Sequence, residues 1–167
     1  METDLEKNLQ ILERERPWID AVELRVDALA PGEQGRADSF PKRAGVPVIL
    51  SLKRSGEGGC FKGEERERIE LLRRLLPGGF DFLELEEDLP REALSFDTLK
   101  KDPRIIRSLH HAAGVPENLL SRLESLRKRE DEIPKIVLEP RGTADLVQIF
   151  QRLRDAKVPG RGSWILE

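Results

Sequence analysis

Strand-like and helix-like stretches alternate along the whole chain, and this alternation limits the possible folds more than any other feature of the sequence. "DLEKNLQILERER" at 4–16 places Leu5, Leu9 and Leu12 on one helical face, and Pro17 closes that helix. Residues 20–26 alternate apolar and polar, as a half-buried strand does. Proline, glycine and charge fill 31–45, and "GVPVILSLKR" is then a second strand, apolar through Leu50 and polar from Ser51. "GEERERIELLRRLLPGG" is predicted as a helix stopped by Pro77 and two glycines. "FDFLELEED" is a third strand and "PRIIRSLHH" a fourth. "PENLLSRLESLRKRE" follows as a helix, with Pro116 near its start and Leu119, Leu120, Leu123 and Leu126 as its buried stripe. "IPKIVLEP" is a fifth strand, "TADLVQIFQRLRDA" its helix, and "GSWILE" opens a sixth strand.

The strand–helix unit recurs roughly every 25 to 35 residues, which is parallel βα architecture with helices covering a sheet. No GxGxxG or GxxxxGK follows any strand, which weighs against dinucleotide-binding and P-loop folds. The five complete strands carry polar residues at or near their ends: Glu23 and Arg25, Lys53, Glu84 and Glu86, His110, and Lys135. A (β/α)8 barrel builds its site from such strand ends. The pattern by itself fits a barrel and an open α/β sheet equally.

With 167 residues the chain is about one domain long. A formal charge of -3 gives no general attraction to nucleic acid or an anionic membrane. The arginines of 64–74 alternate with glutamates and read as a solvated helix face. A single cysteine, Cys60, excludes an internal disulfide and a multi-cysteine metal site. The longest apolar run is far short of a membrane span, no signal peptide is read at the N-terminus, and a cytoplasmic location is expected.

One position breaks the pattern. Lys135 lies inside a run that otherwise reads as buried, between Pro134 and Ile136, Val137 and Leu138. A lysine there can snorkel from the strand end, or it can be desolvated to serve as a nucleophile. The two histidines, His110 and His111, are adjacent, so on a strand they point to opposite faces and cannot both ligate one metal; no metal site is expected. Gly58 and Gly59, directly behind Glu57, suggest a backbone that must pass close to something.

Five segments in order, "ELRVD" (23–27), "SLKRSGEGG" (51–59), "FLELEED" (82–88), "IIRSLHH" (105–111) and "IPKIVLEP" (133–140), resemble type I 3-dehydroquinate dehydratase over nearly the whole chain. The resemblance implies an α/β, (β/α)8 TIM barrel. It also implies that residues 1–167 are a single domain of that barrel, truncated at both ends and carrying about strands two to seven. It further implies a lyase of the shikimate pathway that needs no cofactor and dehydrates 3-dehydroquinate to 3-dehydroshikimate through a Schiff base.

On this resemblance Lys135 condenses with the substrate ketone, His110 shuttles the protons, and Glu57 orients and charges that histidine. Glu23, Arg25 and Lys53 match substrate-binding positions, and Glu84 and Glu86 are expected as supporting residues behind them. Lys53 stands where most members have arginine, His111 where aspartate is usual, and Glu84 where the family has aspartate. The "SLH" strand and Lys53 are similar to shorter members fused to shikimate dehydrogenase, so a fused or neighbouring dehydrogenase is an expected partner. Two other readings stay open: another Schiff-base lyase or aldolase on the same barrel, and a truncated remnant that is no longer catalytic and acts as an interaction module. An unclosed barrel is also expected to self-associate at its edges and to catalyse poorly alone.

Overall fold

Asp4 starts the first helix. Its carboxylate accepts a 2.9 Å hydrogen bond from the backbone N–H of Lys7, which satisfies one of the donors left over at the start of α1 (Leu5–Glu15). Leu5, Leu9 and Leu12 form the buried face of α1, as their spacing predicts. Pro17 then sits in a single 3-10 turn, Arg16–Trp18, that ends the helix. The computed structural model describes residues 2–97, 99–111, 114–155 and 165–166. These fall into two compact units, Met1–Arg104 and Ile105–Glu167.

In the first unit, β1 (Val22–Arg25), β2 (Val48–Ser51) and β3 (Phe82–Glu86) run parallel in chain order. The register sets Leu24 beside Leu50 and Leu50 beside Leu83, so these leucines share one face, and all three are buried. The opposite face takes the alternate residues, among them Glu23, Arg25, Ser51 and Glu84. The 31–45 connection is more ordered than its composition suggests. It contains two short helices, α2 (Pro31–Gln34) and α3 (Pro41–Ala44), each with proline at its first turn, and α3 packs on α1. Helix α4 (Glu65–Leu75) opens with a reciprocal capping box between Glu64 and Glu67. One of its arginines departs from the solvated face expected for 64–74. Arg68 lies on the stripe of Leu72 and Leu75 and is 1% exposed. It donates to the Leu52 carbonyl at 2.7 Å and to Glu86 at 2.8 Å, which is what makes its burial tolerable.

In the second unit, β4 (Arg104–His111), β5 (Ile133–Leu138) and β6 (Ile165–Leu166) are parallel neighbours. The rest of the expected sixth strand, 162–164 and 167, lies outside the described residues, as does Ala156 at the end of the last expected helix. Helices α5 (Leu119–Leu126) and α6 (Thr143–Asp155) cover one face of β5. The core there is Leu119, Leu123, Ile136, Leu138 and Ile149, with Leu109 packed against it. Helix α5 stops at Leu126 instead of running on to Glu130, because the charged 127–130 stretch offers no further apolar side chain to bury, and Leu120 is only half-buried. The end of the α5–β5 connection is held by a buried ion pair: Arg107 Nη2 lies 2.8 Å from Glu132 Oε1, and Glu132 also accepts from the Lys128 N–H. Among the described residues no helix is long and apolar enough to cross a membrane.

Candidate active site

The polar face of the first unit is built by period-2 alternation on three parallel strands. Glu23 and Arg25 come from β1, and Ser51 lies level with Arg25 on β2. Lys53 follows two residues after Ser51, and Glu84 and Glu86 follow Phe82 on β3. The structure pairs Lys53 with Glu84: Nζ lies 2.8 Å from Oε1, with both side chains almost fully buried. Glu86 takes the Arg68 guanidinium and also accepts weakly from the Arg54 N–H at 3.4 Å. Lys53 and Glu84 thus meet in one ion pair, while Glu86 faces a helix arginine to which the sequence reading gave no role.

Glu57 ends a 3-10 turn, Ser55–Glu57, in the loop after β2. Gly58 follows in the left-handed region, φ 70°, which favours glycine. The expectation that the backbone passes close to something here holds at Gly59, where a Cβ would stand 2.1 Å from the Lys53 carbonyl oxygen. The loop closes on itself through the Gly59 N–H to the Arg54 carbonyl and the Phe61 N–H to the Lys53 carbonyl.

Asp27 organises this region, although the sequence reading gave it no role. It is 4% exposed. It accepts from Arg25 Nε at 3.0 Å and Nη2 at 2.7 Å, and from the backbone N–H groups of Lys53 at 3.2 Å and Cys60 at 2.9 Å. Burial pushes its carboxyl pKa up, but the Arg25 and backbone hydrogen bonds outweigh burial and hold it below the ordinary carboxylate value. The available signal was its spacing, two residues beyond Arg25 in the same alternation. An open groove of about 1080 Å³ is lined by Asp27, Cys60, Phe61 and α4 residues, among others, but by none of Glu23, Arg25, Lys53 and Glu84.

In the second unit the strand register fixes which residues share a face. Ser108 is level with Lys135, and His110 with Val137. Leu109, Ile136 and Leu138 pack in the helix-covered core, so Ser108, His110 and Lys135 stand on the opposite face. His111 shares the parity of Leu109 and therefore points away from His110. Lys135 is 2% exposed and His110 is partly exposed. At about 3.3 Å per residue and 4.8 Å between strands, the Cα atoms of Lys135 and His110 are about 8 Å apart, within reach of a lysine and an imidazole directed toward the same ligand. Ser108 Oγ is fully buried and has no hydrogen-bond partner among the described residues, and the same is true of Ser51 Oγ in the first unit. Both hydroxyls belong to the polar faces just described. No group of three or more His, Cys, Asp or Glu side chains suited to a metal occurs among the described residues.

Comparison with known proteins fits this geometry. The family model for type I 3-dehydroquinase matches residues 1–160. A 3-dehydroquinate dehydratase from Archaeoglobus fulgidus is 32% identical over 136 residues, 80% of this chain and 62% of that protein. A bifunctional 3-dehydroquinate dehydratase/shikimate dehydrogenase of Arabidopsis thaliana is 27% identical over 150 residues, 86% of this chain and 24% of that protein. The crystal structure of type I 3-dehydroquinate dehydratase from Clostridium difficile with covalent modified comenic acid superposes with a TM-score of 0.79 at 18% identity. It covers 99% of this chain and 71% of that one. The chain thus spans about three-fifths of the length of relatives such as the Archaeoglobus protein. Its fold is an incomplete α/β, TIM-type barrel. On the match over residues 1–160, the chain belongs to the type I 3-dehydroquinase family.

Proposed function

We propose that this chain carries the Schiff-base machinery of a hydro-lyase that converts 3-dehydroquinate to 3-dehydroshikimate in the shikimate pathway. The observation that carries this reading is the buried Lys135 on the face of β5 opposite the helix-covered core, with His110 on the same face of the adjoining strand. In the proposed reaction the neutral Lys135 amine adds to the substrate ketone, and the carbinolamine loses water to give an iminium. The iminium withdraws electrons from the adjacent carbon. His110 removes a proton there, the resulting enamine expels the hydroxyl as water with a proton returned by the imidazole, and hydrolysis frees the product and Lys135. Glu57 is kept, on the family resemblance, as the supporting carboxylate of the reaction. Glu23, Arg25 and Lys53 bind substrate, with Glu84 and Glu86 behind them. The buried Lys53–Glu84 contact favours a structural share in the work of Lys53. The covalent modified ligand of the Clostridium difficile neighbour accords with covalent chemistry in this fold.

The same reading takes both units as one dehydratase-like domain, in keeping with the family match across residues 1–160. A cytoplasmic setting suits the exposed, free Cys60 thiol. Partnership with a shikimate dehydrogenase is supported by the bifunctional relative. Self-association is supported by the exposed Leu146, Val147 and Phe150 on α6, and sedimentation of the chain against a Phe150→Ser variant tests it.

The Schiff base is tested by adding borohydride to protein and 3-dehydroquinate and mapping the reduced adduct by peptide mass. The adduct is expected on the peptide containing Lys135. A modification on Lys53, or none at all in folded protein, removes the assignment.

A further inference from the structure

We infer that Asp27 is a positioning residue of the proposed dehydratase, setting both the Arg25 arm and the loop that carries Glu57. This rests on the substrate-binding role proposed for Arg25. A carboxylate offers about four lone-pair directions and no donor. Four N–H groups point at Asp27, two at each oxygen. Arg25 Nε and the Lys53 N–H meet Oδ1, and Arg25 Nη2 and the Cys60 N–H meet Oδ2. These donors come from the end of β1, the end of β2 and the far side of the Glu57 loop. One buried side chain therefore joins three segments, the farthest donor lying 33 residues along the chain from Asp27 itself.

The contact with Arg25 is directional. Asp27 holds Nε and Nη2, and Nη2 also reaches the Gly58 carbonyl at 3.1 Å. Nη1 makes no hydrogen bond among the described residues, and the Arg25 side chain keeps 26% of its surface. A guanidinium clamped on one edge in this way presents the other edge to a ligand in a fixed plane. The loop is clamped with equal closeness, since Gly59 lies against the Lys53 carbonyl with no room for a Cβ. Asparagine is not a substitute. Its amide nitrogen would turn donors toward two of the four N–H groups, whichever way it is rotated. Glutamate keeps the charge but shifts both oxygens outward by one methylene.

The first measurement needs no variant: amide hydrogen exchange of the unmutated chain followed by NMR. The N–H of Cys60, an exposed loop residue, is expected to exchange at least about 10-fold more slowly than an open loop amide. Exchange at the solvent rate overturns the tether. Asp27→Asn is then expected to lose protection at both Lys53 and Cys60 with its far-UV circular dichroism retained. Its KM for 3-dehydroquinate should rise about 10-fold or more, with a smaller change in kcat. Arg25→Gln should reproduce that KM, and the double variant should be no worse than the more impaired single one, because both changes remove the same arm. Multiplying KM effects, or an unchanged KM in Asp27→Asn, overturns the positioning role. If the unmutated chain neither turns over nor traps substrate, the dehydratase reading falls, while the exchange result still decides whether Asp27 holds the loop.

Discussion

On the polar face of the first unit and where helix α4 meets it, charge meets charge at close range: Arg25 with Asp27, Lys53 with Glu84, and the α4 residue Arg68 with Glu86, all at 2.7–2.8 Å. On the corresponding face of the second unit, Lys135 stands between Ile133 and Val137 on its own strand, beside Ile106, Ser108 and His110 on the next. The second unit does bury an ion pair, Arg107 with Glu132, but its residues have the parity and position of the opposite, helix-side structure. The first face is an ionic lattice that holds groups in place. The second places one lysine and one histidine on a shared face of two adjoining strands, which suits the covalent step and the proton transfer proposed above.

The most drastic way to break this contrast is to remove that lysine. Lys135→Ala is expected to abolish both turnover and the borohydride-trapped adduct, since only a primary amine at that place forms the iminium. Steady-state kinetics and peptide mass mapping check it together. Residual turnover with the adduct moved to Lys53 would make the first face the reactive one and reverse the comparison.

The lattice is attacked at Lys53. Lys53→Met leaves the Glu84 carboxylate buried without that ammonium, and breaking one side of a buried pair typically costs about 3–5 kcal/mol. Urea unfolding measures the loss. The double change Lys53→Met with Glu84→Leu should recover most of it, because an apolar pair of similar volume carries no uncompensated charge. The single variant, where still folded, should keep the Lys135 adduct. A loss below about 1 kcal/mol would place this pair with exposed ion pairs and remove the scaffold half of the contrast.

How much of this was legible in the sequence depended on period. Alternation on the strands identified both polar faces, and the apolar flanks of Lys135 singled it out while leaving a snorkelling and a buried lysine both open; the fold decides for burial. Side chains that leave their local pattern to find a distant partner were not legible. Arg68 reads as one more charge in "ERERIELLRR", although its spacing from Leu72 and Leu75 puts it on the buried stripe. Its partner Glu86 is 18 residues on, and only the fold brings the two together. Asp27 shows the same limit. Its alternation with Glu23 and Arg25 was visible, but two of its four donors are backbone N–H groups, which no residue identity announces. The extra helical turns in 31–45 arise from Pro31 and Pro41 pre-setting helical φ in a stretch whose composition alone reads as loop.

A smaller effect separates the two adjacent histidines. His110→Ala is expected to lower the elimination rate by about 10²-fold while still permitting adduct formation, because the imine depends on the amine and the elimination on the base. His111, on the side of Leu109, should cost less on substitution by alanine. Single-turnover kinetics with and without borohydride distinguish the two steps. The reverse order of effects would shift the strand register by one residue and take His110 off the face of Lys135.

The smallest expected effect is the acid response of the first unit. The folded-state pKa of Asp27 lies below its unfolded value, because the Arg25 and backbone hydrogen bonds favour the carboxylate over the opposing effect of burial. A depressed carboxyl pKa contributes stability above the unfolded value, near pH 3.9, and that contribution is lost as pH falls through the folded value. Asp88, lowered by its hydrogen bond to Arg54, adds to the same window from the end of β3. Melting temperature should therefore fall as pH drops below about 4. Asp27→Asn, with no proton to take up at that position, should melt lower near neutrality but show a shallower decline in acid. The difference in slope between the two proteins isolates the Asp27 share from that of every other carboxylate. Parallel slopes would mean that Asp27 titrates alike in the folded and unfolded chain, and the lattice would then lose its central anchor.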